Sequence, residues 1–189
     1  MAEATASEAA VARRVGSLDG RIAGTALVSI LPAPACHRVN LRAGEDALGA
    51  LEAALGIALP RVPMGSVTES GRSALWLGPD EWLLLDGERD PAADLAGGEA
   101  VFSAVDISHR NTAMLVTGPR AADTLEHGCP RDLSVGEFPV GACARTVMGK
   151  AEVIVWRGKT DAFRVECWRS FSTYVFDFLS EASRDASLV

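Results

Sequence analysis

The chain has 189 residues, which at about 150 residues per domain means one domain or two small halves around a shared core, and excludes a large multidomain enzyme. Apolar types make up 48% and charged types 23%, the balance of a globular protein with a real interior, so disorder is excluded for the bulk of it. Eighteen Lys and Arg against 25 Asp and Glu leave a formal charge of −7, which repels phosphate backbones on average, so nucleic acid is not an expected partner.

Residues 1–24 are expected to form an Ala- and Glu-rich N-terminal arm, with residues 25–189 a single domain. Glu3 and Glu8 precede the first arginines and no hydrophobic run follows, so the pattern is not that of a secretory signal. The longest uncharged apolar stretch, residues 22–36, contains Pro32 and Pro34 and falls short of the ~20 residues that cross a bilayer. The expected location is cytoplasmic, where Cys36, Cys129, Cys143 and Cys167 stay thiols.

From residue 25 the pattern turns to strand at 26–31, breaks at the prolines, and resumes as a second strand at 37–41. Leu48, Leu51 and Leu55 recur at helical spacing within 45–56, and Gly56 caps that helix. Gly78-Pro79-Asp80 separates strands at 73–77 and 81–85 and marks a hairpin. A short helix at 91–95 precedes strands at 101–107 and 113–117. Gly118-Pro119 then opens a helix that ends near Gly128. Strands follow at 142–148, 152–156 and 163–168. The last segment, 170–182, puts Phe171, Tyr174, Val175, Phe178 and Leu179 on one helical face behind a Ser cap. From His37 to Ser108 this order is the split βαβ, ferredoxin-like arrangement, and the rest is a looser copy. The expected class is α+β, antiparallel sheets covered by helices, with pseudo-halves at about 25–110 and 111–182.

The patterns that carry catalytic chemistry are missing. No Gly-x-Ser-x-Gly elbow or Gly-x-Gly-x-x-Gly fingerprint occurs, and Gly149-Lys150 has Ala144 where a phosphate loop needs Gly and Ala151 where it needs Ser or Thr. His127 and Cys129 form one close pair, whereas structural zinc takes two such pairs. Asp106, Ser108 and His109 could form an acid–base group, but neighbours on a strand point to opposite faces, so a turn-forming role is favoured. No catalytic, cofactor-binding or metal residue is expected in this chain. What stands out is Trp and Arg, the types enriched at binding hot spots. Trp76, Trp82, Trp156 and Trp168, with His109, Arg110 and Arg169, are therefore the candidate subunit-interface residues. Alternation in 163–168 places Trp168 on the same face as Arg164 and Glu166.

Four blocks of the sequence, ALWLGPDEWLLL (74–85), VDISHRNTAMLVTGPRAADTLEHGCPRDL (105–133), FPVGACART (138–146) and FRVECWRSFSTYVFDFL (163–179), resemble the sarcosine oxidase gamma subunit family. The resemblance implies a non-catalytic structural subunit of a heterotetramer that oxidatively demethylates sarcosine to glycine, with hydrogen peroxide and formaldehyde or 5,10-methylenetetrahydrofolate as products. It implies alpha, beta and delta partner subunits, alpha being the direct contact. FAD, FMN, NAD, tetrahydrofolate and zinc then belong to those partners and none to this chain. DISH followed by VTGPRAADTL is also similar to the folate-binding fold of the glycine-cleavage T-protein, an aminomethyltransferase. In the late region this chain reads VMGKAEV, without the cysteine motif of the iron–sulfur-maintenance branch, and kinship of fold does not carry folate binding with it. The alternatives are a stand-alone folate-binding, aminomethyltransferase-like protein using Asp106 or His109, and the gamma subunit of a related N-methylglutamate dehydrogenase.

Overall fold

Two prolines divide the chain between two sheets. In the computed structural model, which describes residues 16–98 and 100–188, β1 (Ala23–Gly24) and β2 (Ser29–Pro32) pair in one sheet. Pro32 closes β2 opposite Met114, Ala33 N adds a last bond to Ala113 O at 2.9 Å, and Pro34, which has no N–H, follows as the chain crosses over to start a second sheet. There β3 (His37–Ala43), α1 (Glu45–Leu55), β4 (Ser66–Glu69), β5 (Arg72–Gly78), β6 (Glu81–Asp86), α2 (Pro91–Asp94) and β7 (Phe102–Asp106) follow. The chain then returns to the first sheet with β8 (Asn111–Thr117), α3 (Ala121–Glu126), β9 (Cys143–Met148), β10 (Ala151–Lys159) and β11 (Ala162–Trp168). A 3₁₀ turn (Arg169–Phe171) leads into α4 (Ser172–Ala186).

The strand orders are β4-β5-β6-β3-β7 and β1-β2-β8-β11-β10-β9, with every pairing antiparallel. Without β1, the second order read backwards is β9-β10-β11-β8-β2. This is the first order again, with β2 where β7 would be. The central hairpins match as well, each with a register shift just before its turn, at Trp76/Gly78 and at Arg157/Lys159. Both halves therefore contain the split βαβ arrangement plus one added edge strand, and the closing strand of the second comes from the N-terminal side of the first. This corrects the division at about residue 110: residues 29–32, expected in the first half, complete the second. The expected arm is also shorter than residue 24, since Leu18 is buried in the core and Ala23–Gly24 are paired; residues 1–15 of it lie outside the described residues.

Alternation along each strand gives the layers. Val153 and Val155 of β10 face α3 and α4, whereas Ile154 and Trp156 face the other sheet. On the opposite side α1 buries Ala47, Leu48, Leu51 and Leu55 and ends at Gly56, whose φ of 66° suits glycine and whose N–H reaches Glu52 O at 2.9 Å. Gly118, at φ 123°, permits a close approach of two backbone segments: a Cβ there would lie 2.3 Å from the Leu27 carbonyl oxygen. In α4 the buried stripe is Ser172, Val175, Phe176, Leu179, Ala182, Ser183 and Ala186. The expected face was thus rotated by part of a turn, because the 3₁₀ turn resets the phase and leaves Phe171 and Tyr174 exposed. The expected Ser cap is absent too; Ser172 Oγ donates to Arg169 O at 2.7 Å. β4 was not foreseen, being a short, polar edge strand with no apolar alternation.

Between the sheets lie Leu75, Leu83, Leu85 and Cys143, with a buried ion triad beside them. Glu166 of β11 accepts from Arg38 Nε of β3 at 2.7 Å and from Arg164 Nε at 2.8 Å, and its side chain is 1% exposed. Burial opposes the Arg38 charge, but Glu166 outweighs it and holds that guanidinium above its ordinary pKa. Nearby, Arg145 Nη2 of β9 donates to Glu81 Oε1 of β6 at 2.6 Å, and Asn40 Nδ2 donates to the same oxygen at 2.8 Å. Removing one member of a buried pair strands the other charge, so Glu166→Ala is expected to cost about 3–5 kcal/mol in urea denaturation. The triple change Arg38→Met, Arg164→Met, Glu166→Met, which leaves no member of the triad stranded, should recover much of that.

Glu81, Glu52 and Asp94 are held below the usual carboxylate range, chiefly by hydrogen bonds from Arg145, Arg61 and Arg72 respectively. A lowered folded pKa gives stability that is present above the unfolded value and lost as pH falls through the folded one. The urea midpoint should therefore be level between pH 7 and about 5 and drop below about pH 4.

Candidate functional site

The fold separates the candidate residues into three environments. Trp82 of β6 is 1% exposed beneath α1, with Nε1 donating to Pro60 O at 2.8 Å. It is a core residue with no surface left for a partner, which removes it from the expected interface set. Trp76, two residues before the hairpin turn, is half-buried against the same core. Trp156 lies in the seam between the sheets, and its Nε1 donates to Ser66 Oγ at 3.0 Å, tying the two halves together. The neighbouring Arg157 points the opposite way, into the helix-covered core, where Nη1 donates to Thr160 O at 2.6 Å and Nη2 to Leu133 O.

The third environment is exposed. Trp168, at the end of β11, is 40% exposed, and the guanidinium carbon of Arg110 sits 4.3 Å from its ring centroid. Arg169 N donates to Arg110 O at 2.8 Å, so the backbone fixes the stack from both sides. The 3₁₀ turn puts Phe171, 41% exposed, on the same side, with the two ring centroids 6.1 Å apart. Arg38, Arg42, Arg72 and Arg145 each have a carboxylate within 2.9 Å, whereas Arg110 has none within ion-pair distance among the described residues. His109 is exposed beside it. Trp168 does share a face with Arg164 and Glu166, as the alternation required, but most of that face is the seam between the sheets and only its end is open. Phe171 was not in the sequence-derived set. The one signal for it is its place three residues after Trp168, which is read correctly only if the helix begins with a 3₁₀ turn.

A cavity of about 920 Å³ adjoins this edge, lined by residues 32–38 of the first crossover, by Asp106, Ser108, His109, Asn111 and Thr112 of the second, and by Leu18 and Arg169. Its carboxylates shape the local backbone. Asp106 Oδ1 accepts from Ser108 N at 2.8 Å, Asp90 Oδ1 from Ala92 N at 2.9 Å, and Asp19 Oδ2 from Gly16 N at 2.8 Å. The bonds from Ser108 hold Asp106 below the usual carboxylate range, so at neutral pH it has no proton to donate. Ser108 Oγ accepts from Arg38 N at 2.8 Å, so both side chains build the crossover turn. His127 Nδ1 lies 2.8 Å from Asp123 O, Cys129 is buried, and no three His, Cys, Asp or Glu gather as metal ligands among the described residues.

Residues 42–185 match the model of the sarcosine oxidase, gamma subunit family. The chain belongs to that family. It is 32% identical over 173 residues to the sarcosine oxidase subunit gamma of Corynebacterium sp. (strain U-96), covering 88% of this chain and 84% of that one. It is 34% identical over 128 residues to the Arthrobacter sp. sarcosine oxidase subunit gamma, covering 64% and 62%. Among solved structures, a chain of the heterotetrameric sarcosine oxidase from Corynebacterium sp. U-96, in complex with pyrrole 2-carboxylate, superposes with a TM-score of 0.80 at 31% identity over 85% of both chains. The glycine cleavage system aminomethyltransferase T from Bartonella henselae superposes with a TM-score of 0.58 at 15% identity, over 85% of this chain and 50% of that one. That second likeness is one of fold alone. The gamma-subunit family resemblance read from the four sequence blocks is thus confirmed, as is the α+β fold shared with the aminomethyltransferase.

Two outcomes follow from these placements. Trp82→Ala is expected to cost about 3–5 kcal/mol of stability, against about 1 kcal/mol or less for Trp168→Ala, and only loss of Trp168 should reduce acrylamide quenching of the fluorescence. Burial pushes the Cys143 and Cys167 thiols up to about 12, and Cys129 is also buried, whereas Cys36 is half-buried at the cavity. Alkylation near pH 8 followed by intact mass should therefore label Cys36 first and the other three only on unfolding.

Proposed function

We propose that this chain is the structural gamma subunit of a heterotetrameric sarcosine oxidase, buried in part against alpha, beta and delta chains that carry the reaction. The observation that supports this most is the superposition at a TM-score of 0.80 over 85% of both chains. The layout of this chain agrees with it: Asp19, Asp90, Asp106 and Ser108 at the cavity are engaged in local turns, and its exposed aromatic and Arg residues are of the kind that dock. In this reading FAD, FMN, NAD, tetrahydrofolate and zinc belong to the partner subunits. The assembled enzyme converts sarcosine, oxygen and water to glycine, formaldehyde and hydrogen peroxide, with tetrahydrofolate as the alternative acceptor of the one-carbon unit. No helix among the described residues is long and apolar enough to cross a membrane, and the assembly is assigned to the cytoplasm. A permanent complex of this kind buries about 2,000 Å² or more.

The test is co-production with the alpha, beta and delta chains followed by size-exclusion chromatography with light scattering. This chain is expected to elute with a coloured complex that forms peroxide from sarcosine, and to be colourless and prone to aggregate when made alone. A soluble monomer that never associates with those chains would overturn the reading.

A further inference from the structure

We propose that the face formed by Arg110, Trp168 and Phe171 is a docking site for a carboxylate-bearing surface of the alpha subunit. This rests on the gamma-subunit reading and adds to it the place of contact and the chemistry of what is contacted.

Three observations carry the proposal. The Arg110 guanidinium has no carboxylate within ion-pair distance among the described residues, in a chain with a net charge of −7 where Arg38, Arg42, Arg72 and Arg145 all have one. It is held in place before any partner arrives, stacked 4.3 Å over Trp168, with Arg169 N bonded to Arg110 O at 2.8 Å. Trp168 and Phe171, each about two-fifths exposed, extend the same side as an apolar flank.

Those observations also select the partner chemistry. Covering Trp168 and Phe171 desolvates the guanidinium stacked on Trp168, and a guanidinium covered by apolar surface alone loses its hydration without compensation. A carboxylate restores that loss through two parallel N–H···O bonds, which the planar fork of Arg is shaped to make. Because the stack is already ordered, little side-chain entropy is lost on docking. Trp and Arg at the centre of a patch, ringed by weaker contacts, is the composition of a binding hot spot. The surface of the alpha subunit that meets this face should therefore present an Asp or Glu side chain, or a chain-terminal carboxylate, beside an apolar contact.

The experiment compares the wild-type chain with Arg110→Glu, Arg110→Ala, Trp168→Ala and Val62→Asp, each co-produced with the alpha, beta and delta subunits, reading dissociation of the complex on dilution by mass photometry. Val62 is exposed and outside the patch, and serves as the control. Thermal midpoints near that of the wild type confirm folding. Arg110→Glu is expected to weaken assembly roughly tenfold or more, with Arg110→Ala and Trp168→Ala weaker in effect and Val62→Asp unchanged. Raising salt should weaken the wild-type complex more steeply than the Arg110→Ala complex. Assembly of Arg110→Glu equal to wild type, or an equal loss with Val62→Asp, overturns the docking site while leaving the gamma-subunit reading intact. Failure of the wild-type chain itself to assemble overturns both.

Discussion

Glu166 is one carboxylate shared by two guanidiniums in the seam between the sheets, and together with the Arg145–Glu81 and Trp156–Ser66 contacts it sets how the halves meet. It accepts from Arg38 on the opposite sheet and from Arg164 on its own strand, at 2.7 and 2.8 Å. Buried ions are poor stabilisers compared with well-packed apolar side chains, but they tolerate very few arrangements. A seam made only of Leu75, Leu83, Leu85 and their neighbours could slide by a strand spacing at modest cost, whereas Arg38 and Glu166 meet in one register. That register also sets where the two crossovers lie, and hence the cavity between them and the exposed end of β11.

The seam explains why a repeated topology gives one body instead of two domains. Each half has the same strand order, and β2 crosses from the N-terminal side to close the second sheet against β8. The chain thus passes between sheets twice, at 32–37 and at 106–111, and both passages border the cavity. Asp106 and Ser108, which as bare sequence could have been acid–base groups, are used to shape the second of them.

Much of the architecture was legible because strand alternation and helix spacing are local. The hairpin at Gly78-Pro79-Asp80, the helix ending at Gly56 and the placing of Trp168 with Arg164 and Glu166 all came from that source. What was not legible depended on partners distant in sequence. β2 reads as the first strand of the first half until its pairing with β8 is known, and Trp82 reads like any other Trp until α1 is seen to cover it. The phase of α4 was missed because a single 3₁₀ turn precedes it, and that shift is what exposes Phe171. The family resemblance was legible for a different reason: long ordered blocks carry far more information than any spacing rule, although they do not say which surface faces a partner.

The central claim is that this chain contributes an ordered surface, centred on the Arg110–Trp168 stack, to an assembly whose chemistry lies in other chains. Hydroxyl-radical footprinting of the intact complex, read by peptide mass spectrometry, tests it most directly. The account predicts that Trp168 and Phe171 are shielded far beyond what their exposure in the single chain allows, while Val62 reacts freely. Reactivity of Trp168 and Phe171 matching their single-chain exposure would contradict it.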